Sequence, residues 1–285
     1  MEIKMLKFTD LYVIQIVGLL KNKKFSGDCN MQFRSTRAYL HFSDGLLIGA
    51  SYGTLLKTKA LNQILWVSDG EIELAPQTYT ASDWDFNEVI DQVILQSSPS
   101  MPNICPFLRN LTLEKSKLTI QDQSVFMTIG QLILNNMRGS SADVEQLQSN
   151  LSPSEFWKGF FYLSGSGRLI GDYGKSLSTL LLKVQGDIMS HLQKILGKRI
   201  AEAYHERLSQ EMDELWPNLP KHKNYDRIYG AYDRIYGAAP YRTWTKLLGE
   251  TITKVASSGL GQSCYKKAWA ALKPEDANLL QQLLN

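Results

Sequence analysis

Arg37-Ala38-Tyr39-Leu40-His41-Phe42-Ser43-Asp44-Gly45-Leu46-Leu47-Ile48-Gly49-Ala50-Ser51-Tyr52 holds the strongest local signal in this chain. Two apolar runs flank Asp44-Gly45, and a tight turn at that dipeptide needs backbone at positive φ, which Asp and Gly supply most cheaply. The stretch therefore predicts a β-hairpin of Arg37–Phe42 and Leu46–Tyr52, with Cys29–Arg34 as a third strand ahead of it. Further upstream, Thr9 precedes a run of apolar residues at helical spacing, which predicts a capped helix over about 10–21, ended by Ser26-Gly27. Downstream, Leu55, Leu56, Ala60, Leu61, Ile64, Leu65 and Trp66 predict a helix over about 54–67. Asp69-Gly70 then turns the chain into a strand over Glu71–Ala75. Helix, meander, helix and strand make a small α+β domain over residues 1–100.

Beyond a helix at about 83–96 and a Ser/Pro-rich loop at 97–102, helices are expected at about 124–137 and 142–148. Ser152-Pro153-Ser154-Glu155 combines a capping serine, proline at the first helical position and a glutamate placed for a capping box, so a helix should follow to about Leu163. Gly165-Ser166-Gly167 turns into Arg168-Leu169-Ile170. Three helices and a terminal hairpin or strand give residues 101–172 a winged-helix-like outline. The helix in the recognition position carries only Lys158 as a cation, beside Phe156, Trp157, Phe160, Phe161 and Tyr162, a composition suited to protein packing and poorly suited to a DNA groove. Residues 173–285 read as an all-helical domain, with apolar spacing through Leu180, Val184, Ile188, Leu192, Ile195, Leu196, Ile200 and Tyr204. Breaks are expected at Trp216 to Pro220, Ala239-Pro240, Gly259 to Gly261 and Pro274. The expected fold class is thus α+β: a helix and antiparallel meander, a winged-helix-like middle and a helical C-terminal domain.

The 31 basic and 28 acidic residues nearly balance, at a net charge of +3, which argues for neither nucleic acid nor an anionic membrane. Leu11 to Leu20 is interrupted by Gln15 and runs into Lys21, Lys23 and Lys24. It is neither a signal peptide nor a membrane span, so the expected location is cytoplasmic. Cys29, Cys105 and Cys264 are too far apart for CxxC chemistry, and His41, His191, His205 and His222 form no HxxxH pair. No metal site and no cofactor is expected. Gly165-x-Gly167-x-x-x-Gly171 lacks the spacing of a dinucleotide loop, and there is no GxSxG or phosphate-binding loop. The chain is read as non-enzymatic, with no catalytic residue assigned.

One motif stands out. Tyr225-Asp226-Arg227-Ile228-Tyr229-Gly230-Ala231 is repeated at once as Tyr232-Asp233-Arg234-Ile235-Tyr236-Gly237-Ala238. A seven-residue period is two helical turns, so the tyrosines and isoleucines would share one stripe. The stripe reads as a packing face on the helical domain, as a partner surface, because Tyr and Arg are enriched in interface hot spots, or as a flexible helix weakened by its glycines. On the second reading the partner-binding residues are Tyr225, Arg227, Tyr229, Tyr232, Arg234 and Tyr236.

The order of elements over about residues 7–76 resembles the PatA N-terminal (PATAN) domain family. The resemblance rests on the helix Leu11–Leu20, Phe25-Ser26-Gly27, the hairpin Tyr39 to Ala50, Ile64-Leu65-Trp66 and Asp69-Gly70-Glu71-Ile72-Glu73-Leu74. Ser26 stands where the family usually has threonine, and Ile72 and Leu74 where it has aromatics. The resemblance implies a cyanobacterial regulatory protein of phototaxis, type IV pilus control or cell patterning, acting on protein partners such as pilus motor or signalling components. The family's usual neighbour, a receiver domain, has no counterpart here. The alternative is a nucleic-acid-binding regulator working through the winged-helix-like segment, and self-association stays open.

Overall fold

The computed structural model describes residues 5–79, 84–99, 104, 108, 111–118, 125–137, 139, 141–148, 151–172, 174–215 and 233–284. The protein is mixed α+β with antiparallel sheets. It divides into two compact units, one of residues 1–173 with 234–237 and one of 174–233 with 238–285.

The first unit is built on a six-stranded sheet of β1 (Leu6–Thr9), β2 (Gly27–Phe33), β3 (Thr36–Ser43), β4 (Leu46–Tyr52), β5 (Leu55–Leu56) and β6 (Asp69–Pro76). The spatial order is β1-β6-β2-β3-β4-β5. The expected hairpin is β3–β4, and its turn has φ of +47° at Asp44 and +82° at Gly45, the double positive φ that Asp-Gly accepts. Alternate residues of β2 and β3 are buried, among them Cys29, Met31, Phe33, Ala38, Leu40 and Phe42. On that side pack α1 (Val13–Asn22), buried from Val13 to Leu20, and α2 (Lys57–Ile64).

Three local expectations are corrected. Thr9 does not cap α1: it belongs to β1, opposite Asp69 of β6, and the Gln15 side chain accepts from the Tyr12 N–H at the helix start instead (3.0 Å). The helix expected over 54–67 is shorter, because Leu55-Leu56 first pair with Tyr52-Ser51 and Lys57 takes φ +50°. The helix expected over 83–96 is a 3-10 turn at Phe86–Glu88 followed by α3 (Ile90–Ser97).

The described residues among 101–172 belong to the first unit. Their described elements are β7 (Thr112–Lys115), α4 (Met127–Asn136), β8 (Ser141–Asp143), α5 (Val144–Gln148), α6 (Pro153–Gly165) and β9 (Leu169–Asp172). The strands make a second sheet in the order β8-β7-β9, so its central strand comes from ahead of the helices, where no strand was expected. At the start of α6 Pro153 sits in the first turn and the Ser152 hydroxyl accepts from the Glu155 N–H as read, but the Glu155 carboxylate accepts from the Ser152 hydroxyl where the expected capping box would have it accept from the Ser152 N–H.

This helix packs on α1, α3 and α4 and on β9 of the second sheet. Phe156, Trp157, Phe160, Phe161, Tyr162 and Leu163 are all buried, and Phe161 meets Tyr12 and Trp66 edge-on with ring centroids 5.5 and 5.0 Å apart. Where α6 ends, its backbone lies on α1 so closely that a Cβ at Gly18 would stand 1.6 Å from the Ser164 carbonyl oxygen.

In the second unit every described element of regular structure beyond a turn is a helix: α7 (Gly174–Leu196), α8 (Lys198–Leu215), α9 (Ala239–Val255), α10 (Ser258–Ala270) and α11 (Pro274–Leu284). The apolar run read as continuous is broken at Gly197, which takes φ +89°. The buried row of α7 is Leu177, Leu181, Val184, Ile188 and Leu192, while Ile195 is exposed. Breaks stand at Pro240, in the first turn of α9, and at Pro274. The one expected at Gly259 to Gly261 falls earlier, at Ala256-Ser257, and the one at 216–220 lies outside the described residues.

Glu211 locks α8 to α9. It accepts from Lys254 (2.7 Å), Thr251 (2.8 Å) and its own helix's Arg207 (2.7 Å). Burial pushes its carboxyl up, but these donors and the Lys254 charge outweigh that and bring it to about 2. Among the described residues no helix is long and apolar enough to cross a membrane.

Candidate functional site

The six-stranded sheet has an outward face whose make-up follows from strand register. Side chains alternate across a strand, so the partners of the buried residues form polar rows on the other side. One row runs Ala75, Asp28, His41, Gly49; the next runs Glu73, Asn30, Tyr39, Ser51. Tyr39 is exposed, and Asp28, Asn30, His41, Ser51 and Glu73 are half-buried.

Asp28 and His41 are cross-strand neighbours, and the Asp28 carboxylate lies 2.6 Å from His41 Nδ1. A carboxylate only accepts, so Nδ1 is the protonated nitrogen and Nε2 is the ring's acceptor in the neutral form. After β6, Gln77 and Tyr79 complete the cluster: the Gln77 amide donates to Asp28 Oδ2 (2.6 Å) and the Tyr79 hydroxyl donates to Asp28 Oδ1. The Tyr79 ring stands edge-on to His41 at 5.5 Å. Gly49 makes the room, since a Cβ there would lie 2.9 Å from His41 Cδ2.

Electrostatically the carboxylate is the hub. Burial pushes Asp28 up, but hydrogen bonds from Tyr79, His41 and Gln77 and the His41 charge together hold it below the usual carboxylate range. Tyr79 is pushed the other way, first by burial and then by the hydrogen bond to Asp28 and its negative charge. Cys29, next in sequence to Asp28, points to the opposite face and is fully buried, and burial pushes its thiol far up. The cluster is therefore an oriented imidazole with a phenol and an amide around a charged acceptor, a surface that offers directional hydrogen bonds and an aromatic edge.

Sequence reading missed this site. His41 was noted only as a residue without a helical partner, and nothing local ties Asp28 to Tyr79. Of the residues it did single out, Tyr225, Arg227, Tyr229 and Tyr232 lie outside the described residues. Arg234 and Tyr236 are described, and they are not on a helical stripe. The second copy of the repeat forms a 3-10 turn at Asp233–Tyr236, ended by Gly237 at φ +57°. Arg234 pairs with Glu114 of β7 at 2.9 Å, and Tyr236 is buried.

Among the described residues no group of three His, Cys, Asp or Glu side chains could hold a metal ion. Comparison of the chain with family models, curated proteins and solved structures finds no match to any of them.

Proposed function

We propose that this protein is a non-enzymatic signalling adaptor of the cytoplasm, working by protein contact in phototaxis, type IV pilus control or related cyanobacterial regulation. On this reading the first sheet with α1 and α2 is a PATAN-like domain, the α4–α6 segment a winged-helix-like support and α7–α11 a helical domain. The observation that carries the proposal is the outward sheet face, where Tyr39 stands exposed beside the Asp28–His41–Tyr79–Gln77 cluster. Tyrosine brings large apolar area and a hydroxyl at low entropic cost, and a neighbouring fixed polar cluster supplies direction, which is how interface hot spots are composed. The nucleic-acid alternative needs an exposed basic helix, whereas α6 is buried from Phe156 on, apart from half-buried Lys158, its one cation.

The test places a photo-crosslinking amino acid at position 39 in the full chain, expressed in a cyanobacterial host, with a second site at Leu284 on α11 as control. Position 39 should capture a pilus-motor or signalling protein that position 284 does not, and His41→Ala should reduce the yield severalfold. Equal capture from both sites, or none from position 39, would sink the proposal.

A further inference from the structure

Arg234–Gly237 belongs to the first unit although the rest of that unit ends at Tyr173. Its attachment has three parts. The Arg234 guanidinium, mostly buried, reaches Glu114 Oε2 at 2.9 Å. Tyr236 is 9% exposed. Gly237 forms a parallel bridge with Thr9 on β1, which is an edge strand of the sheet and has β6 on its other side. Only glycine fits there: φ is +57°, and a Cβ would lie 2.2 Å from the Thr9 carbonyl oxygen and 2.9 Å from Leu11 Cβ. A carboxylate for arginine, a sheltered place for tyrosine and a glycine-only approach to a sheet edge together specify a short peptide, Arg-x-Tyr-Gly, docked as a 3-10 turn whose glycine meets the strand edge.

The same peptide occurs twice. Arg227, Tyr229 and Gly230 repeat the spacing of Arg234, Tyr236 and Gly237, within seven residues that are identical from Tyr225/Tyr232 to Ala231/Ala238. We infer that the β1 edge with Glu114 is a peptide-docking site for which this chain carries two interchangeable ligands, so that the first copy takes the site when the second leaves it. Both copies would make the same contacts with Thr9, Leu11 and Glu114, and both are tethered to the same chain at high effective concentration. They differ only in the connections: exchange moves seven residues from the segment ahead of the docked motif to the segment between it and α9. The inference stands apart from the partner-binding reading, since the site and both ligands lie in this one chain.

Zero-length carbodiimide coupling tests it in the full chain. In an Arg227→Lys/Arg234→Lys background the amine at position 234 should couple to Glu114, as tryptic mass spectrometry would show. Adding Gly237→Val should lower that product about tenfold or more and bring up coupling at position 227 within monomers, a population shift of the kind two equivalent ligands give. Adding Gly230→Val as well should remove both products. Tyr236→Ala, which removes contacts without a clash, should produce the same transfer and covers the case in which Gly237→Val fails to fold. Loss of coupling at 234 with no gain at 227 would overturn the interchange. Gain at 227 only in covalent dimers would overturn it too, by making the replacement ligand a second molecule. Unchanged coupling at 234 in both variants would overturn the docking site itself.

Discussion

At Gly18 a side chain has nowhere to go. A Cβ would sit 1.6 Å from the Ser164 carbonyl oxygen and 2.7 Å from its carbonyl carbon, and both are backbone atoms of α6 that cannot rotate aside. Gly18→Ala must push α1 and α6 apart, and overpacking of this kind costs about 1–3 kcal/mol or more. The expected loss is at the upper end of that range, measured by chemical denaturation, whereas Gly186→Ala, with nothing within 4 Å of the added carbon, should be neutral or stabilising because alanine is the better helix former. Cys29 gives a second residue-level prediction. Its thiol is fully buried and burial holds it protonated, so brief alkylation of the native protein should leave it unmodified, while alkylation in denaturant labels it.

Among the elements, α6 does the most joining. Phe161 is 1% exposed and meets four rings, those of Tyr12, Trp66, Trp157 and Phe160. Phe161→Ala should cost about 3–5 kcal/mol, the usual range for emptying an aromatic site in a core, and should lower the unfolding midpoint accordingly. The start of α6 and the β3–β4 turn were legible in the sequence because their causes are local: Ser152, Pro153 and Glu155 lie within four residues, and Asp44-Gly45 is itself the turn. β1 was not legible, because its four residues gain strand character only by pairing with β6, some sixty residues on, and Thr9 read in isolation is a good helix cap. The outward cluster was hidden for the same reason. Asp28 and His41 meet through the β2–β3 register and Tyr79 through the path of the chain after β6, so no spacing rule links them. The tandem repeat was conspicuous, yet its heptad period suggested a helical stripe, and the pull of Glu114 and the β1 edge on its second copy is a tertiary effect.

For the molecule as a whole, two carboxylates in different units tie stability to pH in the same sense. Glu211 titrates near 2 in the folded protein, against about 4.3 for an unperturbed glutamate, so its contribution is fully present above about 4.3 and is lost as pH falls toward 2. Asp28 is also depressed; its contribution is present above about 3.9 and is lost as pH falls through its lower folded value. Glu211→Gln should therefore be less stable than the parent at neutral pH, with the gap closing as the solution is acidified, and Asp28→Asn should behave alike with a smaller gap. Equal gaps at pH 7 and near pH 2, followed by circular dichroism, would contradict both assignments. The return of Arg234–Gly237 to the first unit also orders events in the cell. A ribosome must make all of α7 and α8 before Gly237, which bridges Thr9, exists, so for that whole interval the nascent sheet lacks this contact at its β1 edge. Stalled or truncated chains ending before position 234 are thus the species most exposed to edge-to-edge pairing, and chaperone capture should peak over that window of synthesis.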